Sequence, residues 1–251
     1  MVASHTLPSM RWNSSTQNPV TMQMSNRILS VLTLSAALFL PSAHAAEEGV
    51  LDIYIVRHGQ TNWNLEKKLQ GSTDNALNET GTKQAKDLGD KLAGVKFDQI
   101  YSSGLKRAKD TAAAFAGNTK VTPLPELNER SFGKFEGIYE DDRSAAEFAE
   151  FGKRVTVLDD SLDGGESLQS QANRVKTAVA TIRQQHKQGN IAIVAHGGVN
   201  PLVLSALLDI PVAEAVSRIK QGNDEVYLVR VREGQAPSVW KQVVRGTLEQ
   251  L

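Results

Sequence analysis

The stretch "LDIYIVRHGQ" (residues 51–60) joins an apolar, β-branched run directly to an arginine, a histidine and a glycine. Such a run ending in polar residues is a buried strand followed by a turn. A second stretch of the same design, "NIAIVAHGG" (residues 190–198), also closes on histidine and glycine. Working outward, "NETGTKQAKDLGDKLAGV" sets Ala85, Leu88, Leu92 and Val95 at helical spacing, and "KFDQIYSS" is a further strand. An alanine-rich helix, "LKRAKDTAAAFAG", then closes at Gly117, and a short strand lies near "KVTPL". "RSAAEFAEFGKRV" is a charged helix, "DDSLDGGE" a loop, and Ser167 caps a long helix running to about residue 187. The glycines after His196 lead into the helix "GGVNPLVLSALL", and "DEVYLVRVRE" with "SVWKQVVRG" predicts a hairpin turning through "GQAP". Strand and helix in alternation predict one α/β domain: three layers, with a mostly parallel central sheet between helices.

The 251 residues are 40% hydrophobic and 22% charged, the composition of an ordinary globular chain. Basic and acidic residues balance at 28 each, so no overall field favours nucleic acid or an anionic membrane as a partner. The absence of cysteine excludes a disulfide framework, a thiol nucleophile and a lipoprotein anchor. Residues 1–45 stand apart. Arg11 and Arg27 occur there without any acidic residue, a 13-residue apolar run spans Ile28 to Leu40, and Ala43-His44-Ala45 follows. These are the parts of a secretory signal peptide, and the run is too short to cross a hydrocarbon layer of about 30 Å. The expectation is cleavage after Ala45, a single domain over residues 46–251, a periplasmic or secreted product, and no membrane anchor once the leader is removed. The long polar preface suggests that Met22 or Met24 is the true start. If residues 1–45 are instead a start-site artefact, the protein is cytoplasmic.

Two histidines occupy equivalent places, each at the carboxyl end of a strand and each before a glycine-led helix. Ligands of open parallel sheets bind at that end. Arg57 precedes His58, and Arg107 opens the helix after the next strand. Two imidazoles and two guanidiniums converging on one spot suit a phosphoryl group, whose oxygens match the guanidinium fork. Gly59, Gly197 and Gly198 allow backbone amides to approach it. Taken singly, each arginine is an ordinary surface ion-pair partner and each histidine an ordinary polar filler; it is the four together that point to chemistry. A metal site is disfavoured, because no His-x-x-x-His pair or acidic cluster adjoins either histidine and two arginines repel a cation. No Walker loop occurs, and no cofactor is expected.

The blocks "VRHGQTNWN", "LNETGTKQA", "YSSGLKRAKDTA", "LNERSFGKFEG", "GGES" and "VAHGG" together resemble the histidine phosphatase superfamily. The branch is that of the phosphoglycerate mutases and broad-specificity phosphatases, and the resemblance covers roughly residues 51–210 in order. It implies a phosphoglycerate mutase-like fold, with His58 as the nucleophile that becomes phosphohistidine and Glu129 as proton donor. Arg57, Arg107 and His196 would hold the phosphoryl oxygens. Asn64 would also touch the phosphate, Gln60 stands where Glu or Gln is usual, and Gly197 belongs to the phosphate-binding turn. Asn75-Ala76 and Gly104 depart from the family pattern at the rim of the pocket. "His-Gly" in place of His-Asp disfavours the acid phosphatase branch.

Only 37 positions separate Glu129 from Glu166, shorter than a mutase lid that must keep water from the phosphoenzyme. A phosphomonoester hydrolase acting on a small molecule is therefore expected. The alternatives are a bisphosphoglycerate-dependent phosphoglycerate mutase and a non-catalytic phosphate-binding module of the same fold. Phe132, Phe135, Phe148, Phe151 and Tyr139 either line a leaving-group pocket or merely pack the lid. The C-terminal strands offer an edge through which two copies could pair as a homodimer.

Overall fold

A computed structural model describes residues 49–243 and 248–250; the expected signal peptide, residues 1–45, lies outside them. Seven strands form one sheet in the order β3-β2-β4-β1-β5-β6-β7. Strands β1 (Val50–Arg57), β2 (Gln99–Ser102), β3 (Val121–Pro123) and β4 (Gly189–Ala195) run parallel. Strands β5 (Glu225–Arg232), β6 (Ser238–Val243) and β7 (Leu248–Gln250) continue the sheet antiparallel beyond β1. The predicted hairpin is present, with Arg230 opposite Ser238 at the turn end.

The parallel strands are apolar on both faces because helices cover both. In β4, Ile191 and Ile193 enter one core with Leu51, Ile53 and Ile55 of β1. That core is closed by α5 (Leu168–Gln185) and α6 (Asn200–Leu208). Ala192 and Val194 point the other way, into a second core with Val56, closed by α2 (Glu79–Leu92) and α3 (Lys106–Ala116). Full burial of one such isoleucine contributes about 2–3 kcal/mol. Helix α2 buries Ala85, Leu88 and Leu92 as their spacing predicts, and the Asn78 side chain caps it by accepting from the Gly81 N–H. Val95 follows the helix instead of belonging to it. Ser167 caps α5 through the Ser170 N–H.

This topology positions the site. The chain leaves β1 toward the α2/α3 face and leaves the adjacent β4 toward the α5/α6 face, so a crevice opens where the two paths diverge. Arg57 is in register with Ala195, and the His58 N–H donates to the Ala195 carbonyl at 3.0 Å. The residues that follow, His58 and His196, consequently emerge side by side. On the other side of β4, Ser102 pairs with Val194, and Ser103 leaves the sheet beside His196. Two short helices were not legible in the sequence: α1 (Asn62–Leu65), held by a capping box between Thr61 and Asn64, and α7 (Val212–Arg218).

Between Glu129 and Ser167 the chain builds a lid with a small core of its own. Two single-turn 3-10 segments (Gly133–Phe135 and Asp142–Ser144) and α4 (Ala145–Arg154) bring Phe135, Phe151 and Leu162 against Leu69. Phe132 and Phe135 lie 5.1 and 5.5 Å from Phe151, ring centre to ring centre. Phe148 packs on the same cluster. The four phenylalanines therefore hold the lid together, the blander of the two roles open to them, whereas the Tyr139 ring stacks under the Arg143 guanidinium at 3.6 Å. Glu136 ties the lid to the loop after α1, accepting hydrogen bonds from Ser72, Thr73 and the Phe132 N–H.

Candidate active site

His58 and His196 are 3% and 0% exposed, with ring centres 5.1 Å apart. His58 Nδ1 lies 2.7 Å from the carbonyl of Gly59, an acceptor only, so Nδ1 carries the proton. The other ring nitrogen, Nε2, is left with a lone pair and makes no hydrogen bond among the described residues. Burial, reinforced by the Arg57 and Arg107 charges, holds this imidazole well below its ordinary pKa of 6.5. A neutral imidazole with one free nitrogen, its orientation set through the other, is the form a nucleophile requires. Asn223 Nδ2 braces the backbone by donating to the His58 carbonyl at 2.6 Å. A side chain at Gly59 would collide with the Gly81 carbonyl, so only glycine lets α2 approach this turn.

Both guanidiniums are anchored and still carry unspent donors. Arg107, 1% exposed, donates Nη1 to the Thr73 carbonyl and Nη2 to that of Gly71, at 2.7 and 2.8 Å. Arg57 Nη1 donates to the Gln221 carbonyl at 2.6 Å. Gln221 is in turn fixed to the Ile55 carbonyl and to Asn200. Arg57 Nε, Arg107 Nε and His196 Nδ1 are buried without a partner among the described residues. A buried donor left unpaired costs about 1–3 kcal/mol, and an oxyanion is the ligand that would satisfy the two guanidinium donors together.

The Glu129 carboxylate is held from three directions: by the Gly198 N–H at 2.9 Å, by Gln171 Nε2 at 3.0 Å and by its neighbour's Arg130 N–H at 3.0 Å. Gly197 and Gly198 make this possible. A methyl at Gly197 would lie 3.3 Å from the Arg57 guanidinium carbon, and one at Gly198 only 2.6 Å from Glu129 Oε1. Behind Glu129, the bidentate ion pair of Arg174 with Glu166 and the bonds from Arg174 to the Glu126 and Asn128 carbonyls lock the "GGES" loop to "LNER".

The structure thus brings His58, His196, Arg57, Arg107, Glu129 and Gly197 together, as the sequence predicts. Asn64 and Gln60 have other demonstrable work. Asn64 Oδ1 accepts from the Thr61 N–H in the α1 capping box, which leaves its amide nitrogen as the group able to reach a ligand. Gln60 Oε1 accepts from Asn78 at 3.0 Å and so fastens the start of α2 to the histidine turn. Four residues escape sequence reasoning. Ser103 and Asn128, the polar support of His196, sit inside recognisable blocks, whereas Gln171 and Gln221 become visible only when α5 and the loop before β5 are packed. A glutamine on the buried stripe of α5 is a signal, but its target is not in the local sequence. Among the described residues no group of three or more His, Asp or Glu side chains could hold a metal ion.

Residues 53–242 match the family described as Histidine phosphatase superfamily (branch 1). The chain is 34% identical over 193 residues to "Metal-independent phosphoserine phosphatase" of Arabidopsis thaliana, which covers 74% of this chain and 79% of that protein. It is 38% identical over 155 residues to "Phosphoglycerate mutase-like protein 4" of the same plant, over 59% of this chain and 67% of the other. Among solved structures, the alpha-ribazole phosphatase from Shigella flexneri superposes with a TM-score of 0.65 at 26% identity, over 72% of this chain and 91% of that one.

Proposed function

This chain belongs to the histidine phosphatase superfamily, and from that premise we propose that it hydrolyses small-molecule phosphomonoesters without a metal ion, through a phosphohistidine at His58. The observation that supports this most directly is the combination of a neutral His58, protonated at Nδ1 and free at Nε2, with the paired, anchored guanidiniums of Arg57 and Arg107. The phosphoryl group enters against His58, beside the Arg57 and Arg107 guanidiniums whose charges act on that ring. His58 Nε2 attacks phosphorus as the ester P–O bond breaks; the leaving oxygen takes a proton from Glu129, which enters this step as the protonated acid and leaves it as carboxylate, and the N–P bond stores the phosphoryl group. Water then attacks phosphorus, Glu129 as carboxylate receives its proton, and the N–P bond breaks to release inorganic phosphate. Splitting one displacement into two, in a site whose charges are already oriented, provides the acceleration.

Hydrolysis is favoured over transfer to a second acceptor by the short lid and by the partly exposed position of Glu129, which leave the phosphohistidine open to water. The test is turnover of p-nitrophenyl phosphate in excess EDTA, with His58→Ala beside it. Turnover that survives EDTA and vanishes in the variant supports the proposal. A silent wild type that equilibrates phosphoglycerates with a bisphosphoglycerate primer would establish the mutase instead, and silence in both assays a binding module.

Export is part of the same proposal. Arg11 and Arg27, the apolar run and Ala43-His44-Ala45 support a leader, and β1 begins only at Val50, so cleavage after Ala45 would spare the fold. Mass spectrometry of the protein from an exporting host tests it; retention of residues 1–45 would overturn it.

A further inference from the structure

Three side chains settle where one proton of the site resides. Asn128 Oδ1 accepts the Gly104 N–H at 2.7 Å, so the oxygen of that amide faces Ser103. Ser103 Oγ lies 2.9 Å from the same oxygen and has to donate its hydroxyl proton there, since a carbonyl only accepts. The hydroxyl then has only lone pairs for its other two partners, the Leu105 N–H at 3.1 Å and His196 Nε2 at 2.7 Å. His196 therefore holds its proton on Nε2. In the neutral ring this makes Nδ1 a bare lone pair, and that atom is buried and unpartnered among the described residues. Facing a phosphoryl oxygen, a lone pair repels, whereas an N–H binds.

The free site keeps the ring neutral. Burial, followed by the charge of Arg107 on α3, competition with the adjacent His58 for a proton, and the charges of Arg57 at the end of β1 and Arg174 on α5, holds His196 well below its ordinary pKa of 6.5. Glu129, bound to the Gly198 N–H, brings a carboxylate to the same loop. Arrival of a dianion against Arg57 and Arg107 reverses the local field and removes the reason for neutrality.

We propose that the site takes up its phosphoryl group together with one proton, carried on His196 Nδ1 and donated to a non-bridging oxygen. Ser103 and Asn128 act as positioning residues, because their hydrogen bonds decide which ring nitrogen is vacant. An ester dianion draws the proton from solvent and a monoanion brings its own; in both cases the proton departs when phosphate is released. The proposal rests on the phosphatase function proposed above and adds the protonation state of the complex.

The probe is sulfate, a dianion throughout the neutral range that cannot be turned over. Calorimetric titration of the full chain in two buffers of different ionisation enthalpy should show uptake of about one proton per sulfate, with affinity falling about tenfold per pH unit on the alkaline side. Nitrogen-15 NMR should show one of the five histidine rings passing from Nε2–H to doubly protonated on sulfate addition, with that signal missing in His196→Asn. Sulfate binding without proton uptake would overturn the proposal, as would uptake that persists in His196→Asn and disappears in His58→Ala. Turnover of p-nitrophenyl phosphate by the same preparation separates the two levels. Activity with proton-neutral sulfate binding sinks this inference alone, while absence of both activity and binding sinks the phosphatase function with it.

Discussion

Gly198→Ala separates stability from catalysis. The backbone there has no left-handed φ, so alanine is compatible with the local conformation. The added methyl, however, would lie 2.6 Å from Glu129 Oε1, where real contacts essentially never fall below 3.0 Å. The carboxylate must retreat by about 0.4–0.8 Å, in the range where misplacement by 1 Å costs roughly a hundredfold. It also loses alignment with the Gly198 N–H and with Gln171. Because the obstructed atoms are the far end of a flexible side chain, folding should suffer little, within about 1 kcal/mol, or roughly 2–4 °C in Tm. Catalysis should suffer according to the leaving group. For an alkyl phosphate such as phosphoserine, which needs a proton at the departing oxygen, kcat should fall about 10- to 100-fold. For p-nitrophenyl phosphate, whose leaving group departs as the anion, kcat/KM, which reports formation of the phosphohistidine alone, should fall no more than about threefold, although its kcat shares the water-attack step that Glu129 serves. Glu129→Gln should show the same asymmetry. Gly197→Ala, whose methyl meets Arg57 at 3.3 Å, asks for a shift of only a few tenths of an ångström and should change KM a few-fold on both substrates alike. Steady-state kinetics on the two substrates, with thermal melts of each variant, decide the matter. Equal losses of kcat/KM on both substrates in Gly198→Ala, or an unaffected alkyl phosphate, would refute the acid role given to Glu129 and its clamp.

His58→Ala should lower turnover by at least about a thousandfold while leaving the melt cooperative, since neither His196 nor Glu129 can replace an attacking Nε2; substantial residual turnover would remove His58 as nucleophile. Asp52→Asn should cost about 3 kcal/mol, or roughly 6–12 °C in Tm, because Asp52 and Arg230 pair at 2.6 Å with side chains 11% and 18% exposed between β1 and β5. Its kcat should be unchanged, the pair lying near the amino end of β1 and not at the carboxyl end that carries the site. Stability should depend on pH through the buried imidazoles. Burial depresses both His58 and His196 below 6.5, so the unfolded chain takes up protons first; stability is full above that value and is lost as pH falls beneath it. Melts taken through pH 7.5 to 5.5 should show this decline, roughly two protons steep at most, and the His58→Ala, His196→Asn double variant should flatten it.

Much of the machinery was legible in the sequence because it is written locally. A β-branched run followed at once by Arg57-His58-Gly59, and a second ending in His196-Gly197-Gly198, state both the strand and the polar group at its carboxyl end. Apolar periodicity likewise announced α2, and the N-cap of α5 was readable as Ser167, whereas the Asn78 cap of α2 came only with the fold. Glu129 was legible only through the blocks around it, since a glutamate in a charged loop carries no signal of its own.

What tertiary structure decided is everything that depends on which strand lies beside which. The parallel register of β1 with β4 is what sets His58 next to His196 across 138 residues of sequence. Packing of α5 turned Gln171 toward Glu129, and the close of the lid on itself turned its phenylalanines inward. The proton positions on the two histidines were likewise settled by acceptors remote in sequence or in the turn, the Gly59 carbonyl and the Ser103–Asn128 pair. By itself the sequence determined the kinds of groups available and the strand ends that present them, because side-chain chemistry and hydrophobic period are properties of neighbours in the chain. Their mutual distances, protonation states and supports came only with the fold, because a hydrogen bond is specified by position in space, and residues 103, 128, 171 and 196 meet there alone.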